Sequence, residues 1–442
     1  MKKVAIATLG CKTNQFESAA ISEQFTTAGY CIVPFTESAD IYVVNSCTVT
    51  ARTDSETRRL IRRARRLNPE ARIVATGCYA QVSPDELSNM PEVDVVLGNS
   101  EKLDATLLSG ADTNQVADSA AEETFSPLKL TSFAEHTRAF LQVQNGCNTF
   151  CAYCIVPFAR GRSRSVAEDE VLEGIRRLTA AGFKEVVLTG IHLGAYGLDL
   201  ERRPSLESLI RRIVSETDIL RLRIGSVDPN EFSAELLSLY QSSPQVCDHF
   251  HIPLQSGNDS ILKRMGRPYS TAFFRDLIEK ITVSMPHAFI GTDVIAGFPG
   301  ETEEEFETTC RFIESLPFAD LHVFPYSKRP KTRAAEMPNH VPPAVISYRA
   351  ARLRAIAEKK KTDFLEKSIA TELTVLVQKH DETTGTVKGI SNNYIQAEFA
   401  GSATDLNTLC RVLVKTTSKG GAFCDRLPDA QDLEQSSCLT LK

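Results

Sequence analysis

Three closely spaced cysteines constrain this chain more than any other feature. They stand in Gly146-Cys147-Asn148-Thr149-Phe150-Cys151-Ala152-Tyr153-Cys154, directly after the strand-like run Phe140-Leu141-Gln142-Val143. A turn with gaps of three and then two residues aims three thiolates at one point. Three thiolates suit three corners of an iron–sulfur cube and leave the fourth iron without a protein ligand. An open metal position is where a substrate or cofactor binds and reacts. Zinc is the alternative, but it wants a fourth Cys or His close by. The loop has none, and His136 and His192 are the nearest candidates.

A second set of thiols is dispersed in sequence yet repeats one placement. Cys11 follows Val4–Gly10, Cys47 follows Ile41–Ser46 and Cys78 follows Ile73–Gly77, each just past a buried-strand pattern. In a parallel sheet the carboxyl ends of the strands share one edge, so thiols on three such loops can converge there. The candidate strands Val4–Leu9, Ile41–Asn45, Ile73–Thr76 and Val93–Leu97 alternate with helical stretches, which predicts an open parallel α/β sheet. Cys31, Cys247, Cys310, Cys410, Cys424 and Cys438 share no such placement and read as structural thiols.

At 442 residues the chain is too long for one ordinary core. The patterning divides it into an α/β unit over 1–110, a polar linker over 111–135, a second βα series over 136–366 and a short-stranded tail over 367–436. The second series carries six candidate strands: Ala139–Val143, Glu185–Leu188, Leu220–Ile224, Phe250–Ile252, Ile290–Ile295 and Leu321–Phe324. It predicts a full or partial (β/α) barrel. Glu372–Gln378, Gly385–Gly389, Tyr394–Phe399 and Leu409–Thr416 predict a small β-barrel. No apolar run is long enough for a membrane span, and the start of the chain reads as a strand, not as a signal peptide. A cytoplasmic location is therefore expected, where twelve cysteines serve as metal ligands or buried thiols. A net charge of −6 argues against a nucleic-acid partner unless basic patches are local.

Five further residues are candidate cofactor contacts. Tyr153 offers an aromatic face beside the last cysteine of the loop. Gly190 permits close backbone approach after a strand, Gly297 stands in the glycine-punctuated run Gly291–Gly300, and Ser226 and Gln255 offer neutral hydrogen-bonding groups at the same sheet edge.

Thr8–Ser18, Asn45–Thr50, Thr76–Gln81, Asn145–Ser165 and His251–Gly257 occur in order. Together they resemble the radical S-adenosylmethionine methylthiotransferases. The resemblance implies an N-terminal methylthiotransferase domain, a radical S-adenosylmethionine barrel and a C-terminal TRAM-like barrel. It further implies two [4Fe–4S] clusters, an auxiliary one on Cys11, Cys47 and Cys78 and a radical-generating one on Cys147, Cys151 and Cys154. S-adenosyl-L-methionine, an electron donor and a sulfur source would be partners, with no catalytic residue assigned beyond the cluster ligands. Gly10-Cys11-Lys12-Thr13-Asn14-Gln15 resembles the branch acting on N6-threonylcarbamoyladenosine beside the tRNA anticodon. The branch acting on N6-isopentenyladenosine and the one acting on a ribosomal-protein aspartate are alternatives, and a zinc-stabilised RNA-binding protein without catalysis is another. A carbon radical must meet its sulfur source before solvent, so the open edge of the N-terminal sheet is expected to pack over the barrel mouth.

RNA binding would draw on three basic groups: the six arginines of Arg58–Arg66, then Arg160, Arg162 and Arg164, then Arg349, Arg352, Arg354, Lys359, Lys360 and Lys361. Tyr394 and Phe399 are expected in the core of the small barrel, with base stacking as the other use.

Overall fold

The computed structural model describes residues 1–110, 113–122 and 137–428. His136, Cys438, most of the polar stretch before the barrel and the end of the TRAM-like region lie outside them. Five parallel strands form the N-terminal sheet, in the order Cys31–Ile32, Lys3–Thr8, Ile41–Ser46, Arg72–Gly77, Val95–Val96. The central strand Ile41–Ser46 is buried along its whole length, as a strand covered on both faces must be. After it, Thr50 caps the helix Ala51–Leu67 in a reciprocal box with Thr53, and Thr57, Ile61 and Ala64 set its buried face. Residue 115 continues this sheet through a parallel bridge to Leu97.

Six parallel strands form the second unit. Arg138–Gln142, Glu185–Thr189 and Arg221–Ile224 pair in one half, and His249–His251, Phe289–Ala296 and Asp320–Pro325 in the other. A parallel bridge between Leu222 and Val246 joins the halves. No pairing among the described residues joins Arg138–Gln142 to Asp320–Pro325, so the barrel is partial. Helices cover its outside by the usual periodicity: Val171, Leu172, Gly174, Ile175 and Leu178 are the buried residues of Glu168–Ala180. The first helix of the chain, Lys12–Thr27, sends Phe16 and Ala20 into the same core as Ala139 and Phe140. The N-terminal unit thus packs directly on the barrel's first strand.

The C-terminal strands close a barrel in the order Glu372–Asp381, Thr386–Ser391, Gln396–Ala400, Gly421–Arg426, Leu409–Ser418. Phe399 is in its core, as expected. Tyr394 is not. It packs against His249 and Phe289 at the amino-terminal end of the central barrel, with Arg223 over its ring. Arg221 and Arg223 donate to the carbonyls of Ile390, Ser391 and Asn392, which seats this loop under the barrel.

Candidate active site

The three N-terminal cysteines do meet at one sheet edge. Cys11 caps the helix after the first strand, Cys47 follows Ile41–Ser46, and Cys78 opens the short helix after Arg72–Gly77. Gly10 has a φ of +97°, and a Cβ there would lie 2.8 Å from the Cys47 sulfur. Gly77, at φ +91°, lets its backbone approach Ser46, whose carbonyl oxygen a Cβ would meet at 2.5 Å. Burial and the neighbouring Cys78 push the Cys47 thiol up to about 12, with a smaller push from Cys11.

Asn14, at the start of the helix Lys12–Thr27, and Ser46, at the end of the strand Ile41–Ser46, tie these loops together. Asn14 donates to the carbonyls of Leu9 at 2.7 Å and Ser46 at 3.0 Å, joining the Cys11 and Cys47 loops. Ser46 Oγ donates to the Thr76 carbonyl and accepts from the Tyr79 backbone N–H, joining the Cys47 and Cys78 loops. Sequence reasoning assigned none of these roles; the signal for Ser46 was a polar residue ending an apolar buried run, and Asn14 in its polar run Lys12–Gln15 carried none.

The Cys147 loop is held as firmly. Gln144 accepts from the backbone N–H groups of Ile191 and His192 and donates to the Gly146 carbonyl, so the cysteine turn and the Gly190 loop are one unit. The Ala152 N–H donates to the Met265 carbonyl, and the Arg267 guanidinium donates to the Cys151 sulfur at 3.2 Å. Burial pushes the Cys154 thiol up to about 12, with Cys151 and Cys147 adding to the shift. All six thiols are free. Cys47 and Cys78 are buried, Cys11 is exposed and the loop cysteines are half-buried; soft thiols grouped so that they oppose one another's charge are a donor set that an iron cluster satisfies. His192 Nδ1 lies 3.7 Å from the Cys147 sulfur, and its Nε2 is turned to Glu231 at 2.6 Å.

The two triads face one interface. Arg160, six residues past Cys154, is 1% exposed and donates to Asn14 Oδ1 at 2.6 Å, Glu17 Oε1 at 2.8 Å and Asn145 Oδ1 at 3.1 Å. Glu17 also takes the buried Lys102 ammonium at 2.6 Å. On the other flank Arg329 donates to Thr48 and pairs with Asp54, and the Ala51 N–H donates to Ser327 Oγ. Between the flanks lies a cavity of about 190 Å³. Val49 and Thr50 line it from the N-terminal side, and Tyr153, Cys154, Gln255 and Asp293 from the barrel. The sheet edge therefore packs over the barrel mouth.

Among the other candidate contacts, Ser226 is exposed, and Gln255 holds a left-handed φ of 65° while exchanging backbone bonds with Asp293 and Ile295. Gly190 packs on Gln144 and Leu193, and Gly297 sits under Ile346 with its N–H on Glu301. Two clusters escaped the sequence reading: His251 and His322 both on Asp293, and His192 with Asp228 and Glu231.

The basic groups need correction. Arg160 and Arg164 are buried in ion pairs with Glu17 and Glu122, and Arg349 is buried against Glu301 and Glu303. Arg58, Arg59, Arg62, Arg65, Arg352, Lys359 and Lys361 are paired with acids, and Lys360 donates to two carbonyls. Arg66, Arg162 and Arg354 are exposed and Arg63 is half-buried, all four with no ion pair among the described residues. No helix among the described residues is long and apolar enough to cross a membrane.

Residues 3–98 match the uncharacterized protein family UPF0004, and residues 141–313 match the radical SAM superfamily. The chain is 38% identical to the threonylcarbamoyladenosine tRNA methylthiotransferase MtaB of Bacillus subtilis, over 94% of each chain. It is 38% identical to the protein of that name from Aquifex aeolicus, over 93% of this chain and all of the relative. With the tRNA-2-methylthio-N(6)-dimethylallyladenosine synthase of Pelotomaculum thermopropionicum it shares 32% identity, over 91% and 92%. Among solved structures, the radical S-adenosylmethionine methyltransferase TsrM of Kitasatospora setae has the same fold over 76% of this chain and 77% of its own, at a TM-score of 0.52 and 16% identity.

Proposed function

Because this chain belongs to the radical S-adenosylmethionine methylthiotransferase family, we propose that it methylthiolates C2 of N6-threonylcarbamoyladenosine beside the tRNA anticodon. The product is 2-methylthio-N6-threonylcarbamoyladenosine. In this reading Cys147, Cys151 and Cys154 hold one [4Fe–4S] cluster and Cys11, Cys47 and Cys78 hold the other. Bound there, two molecules of S-adenosylmethionine would supply the radical and the methyl group, and the auxiliary cluster would carry the sulfur to be inserted. The electron donor and the source of the inserted sulfur are separate partners.

The observation that carries the reading is the shared cavity, lined by Thr50 three residues past Cys47 and by Cys154 itself. A cavity lined by Val49 and Thr50 from one unit and by Tyr153 and Cys154 from the other would shield an intermediate passing between them. Tyr153 and Gln255 line this cavity; with Gly190, Ser226 and Gly297 they are the proposed contacts to S-adenosylmethionine. Arg267 donates to the Cys151 sulfur and pairs with Asp228 at 2.6 Å, which fixes one corner of the cluster site and places positive charge beside it. The units 1–110, 136–366 and 367–436 then divide sulfur delivery, radical generation and RNA contact. Phosphate contacts fall to the unpaired Arg66, Arg162 and Arg354.

The test is mass spectrometry of tRNA nucleosides from cells with and without the protein. Deletion is expected to remove the methylthio form of threonylcarbamoyladenosine alone. Loss of the isopentenyl relative instead would overturn the substrate.

A further inference from the structure

Three titratable side chains that take no part in either cysteine triad meet on the inner face of the partial barrel. His251, Asp293 and His322 come from three adjacent strands, His249–His251, Phe289–Ala296 and Asp320–Pro325. Alternation along the strands fixes their direction. Phe250, Val294 and Leu321 beside them belong to the core under the outer helices, so residues 251, 293 and 322 face inward. Asp293 Oδ1 lies 3.0 Å from His251 Nε2 and 3.2 Å from His322 Nδ1, and the two imidazole centres are 5.2 Å apart.

The group borders the active-site cavity. Asp293 lines it, together with Ile295 and Phe324, which pair with each other one inward-facing step further along the same two strands. Asp293 pairs with His322 in that register, so the imidazole stands next below Phe324. Its side chain is 60% exposed, against 13% for His251, so His322 is the open member and His251 the sheltered one. Asp293 Oδ2 and His322 Nε2 have no hydrogen-bond partner among the described residues. Burial would raise the Asp293 carboxyl, but His251 and His322 hold it well below the usual range, so it stays an acceptor. The bond to Asp293 raises His322, which favours the ring form whose Nε2–H also donates. An accepting carboxylate oxygen and a donating imidazole therefore stand side by side at the cavity wall. An apolar ligand there would strip their water and return no bond.

We propose that Asp293 and His322, braced by His251, bind the threonylcarbamoyl group and so set the enzyme's choice of modified adenosine. This rests on the proposed function. The threonylcarbamoyl group brings N–H and hydroxyl donors for Asp293, and carbonyl and carboxylate oxygens for His322. A dimethylallyl group brings neither. A site built to hydrogen-bond its substrate rejects an analogue lacking those groups steeply, because its own polar atoms are left unpaired.

The test uses the full-length, cluster-loaded enzyme and two anticodon stem-loop RNAs, one carrying threonylcarbamoyladenosine and one dimethylallyladenosine. Two quantities are read: Kd by fluorescence anisotropy without S-adenosylmethionine, and kcat/KM with it. The wild type is expected to favour the threonylcarbamoyl RNA by on the order of 10²-fold in kcat/KM, with a preference of the same sign in Kd. His322→Leu, at an exposed position that folding tolerates, should lose about tenfold of that preference, and His322→Gln, which keeps an N–H donor, should restore most of it. Asp293→Ala should bring the ratio close to one. If the wild type is selective and His322→Leu keeps both ratios, the subsite is elsewhere and the proposal is overturned, whether or not Asp293→Ala folds. A wild type that leaves the threonylcarbamoyl RNA unmodified would instead overturn the substrate reading, and the subsite with it.

Discussion

Arg160 Nη2 donates to Asn14 Oδ1 over 2.6 Å, and this bond joins the two cysteine triads. Arg160 ends the short helix that follows Cys154, and Asn14 stands three residues past Cys11. The guanidinium also satisfies Glu17, so the contact is a buried charge network and not a surface pair. Burial alone would raise the Glu17 carboxyl, but Arg160 and Lys102 hold it at about 2.

Replacing Arg160 with Met removes that cation from Glu17 and the short bond to Asn14 Oδ1, while Asn145 Oδ1 keeps the Gly146 N–H. Loss of one partner from a buried network costs about 3–5 kcal/mol. Urea denaturation of the variant should show that loss. Arg160→Lys should recover only part of it, because an ammonium cannot span the same three acceptors.

Gly77→Ala should damage the N-terminal triad specifically. Its φ of +91° and the Ser46 carbonyl oxygen 2.5 Å from the new Cβ leave no room for a methyl group. A cost of about 2 kcal/mol or more is expected, with displacement of Cys78 and loss of about four irons per chain. Gly29→Ala is the control: φ is +83° but nothing lies within 4 Å, so only the roughly 1 kcal/mol backbone penalty applies.

Acid should weaken the seating of the C-terminal barrel through Glu185. Burial would raise this carboxyl, but Arg223, Arg221 and Arg138 lower it from the ordinary 4.5 to about 2. Between those values the unfolded chain binds more protons than the folded one, so stability falls as pH falls from 4.5 towards 2 and is complete above 4.5. The shift corresponds to roughly 3 kcal/mol. Denaturant midpoints across this range should flatten in Glu185→Gln, which should also be the less stable protein at neutral pH because three arginines lose their carboxylate.

Much of this architecture was legible because it rests on periodicity. Ile41–Ser46 and Arg72–Gly77 announce buried parallel strands, and a cysteine after each must sit at the same sheet edge. Cys31–Ile32 escaped notice because two residues carry no alternation. Gly421–Arg426 escaped because it opens on Gly421 and ends on the exposed Asp425 and Arg426, which leaves too short an apolar alternation. The basic groups misled for another reason. Arg160 and Arg164 read as surface cations because their acids, Glu17 and Glu122, are 143 and 42 residues away and meet them only in the fold. Tyr394 was hidden likewise, since its ring packs against a different unit from the one its backbone belongs to.

Iron analysis with Mössbauer spectroscopy on anaerobically purified protein tests the central claim most directly. The account predicts about eight irons per chain as two [4Fe–4S] clusters, and about four in each triple variant, Cys11/Cys47/Cys78→Ala and Cys147/Cys151/Cys154→Ala. A wild type holding a single cluster, or an N-terminal triple variant that keeps both, would contradict it.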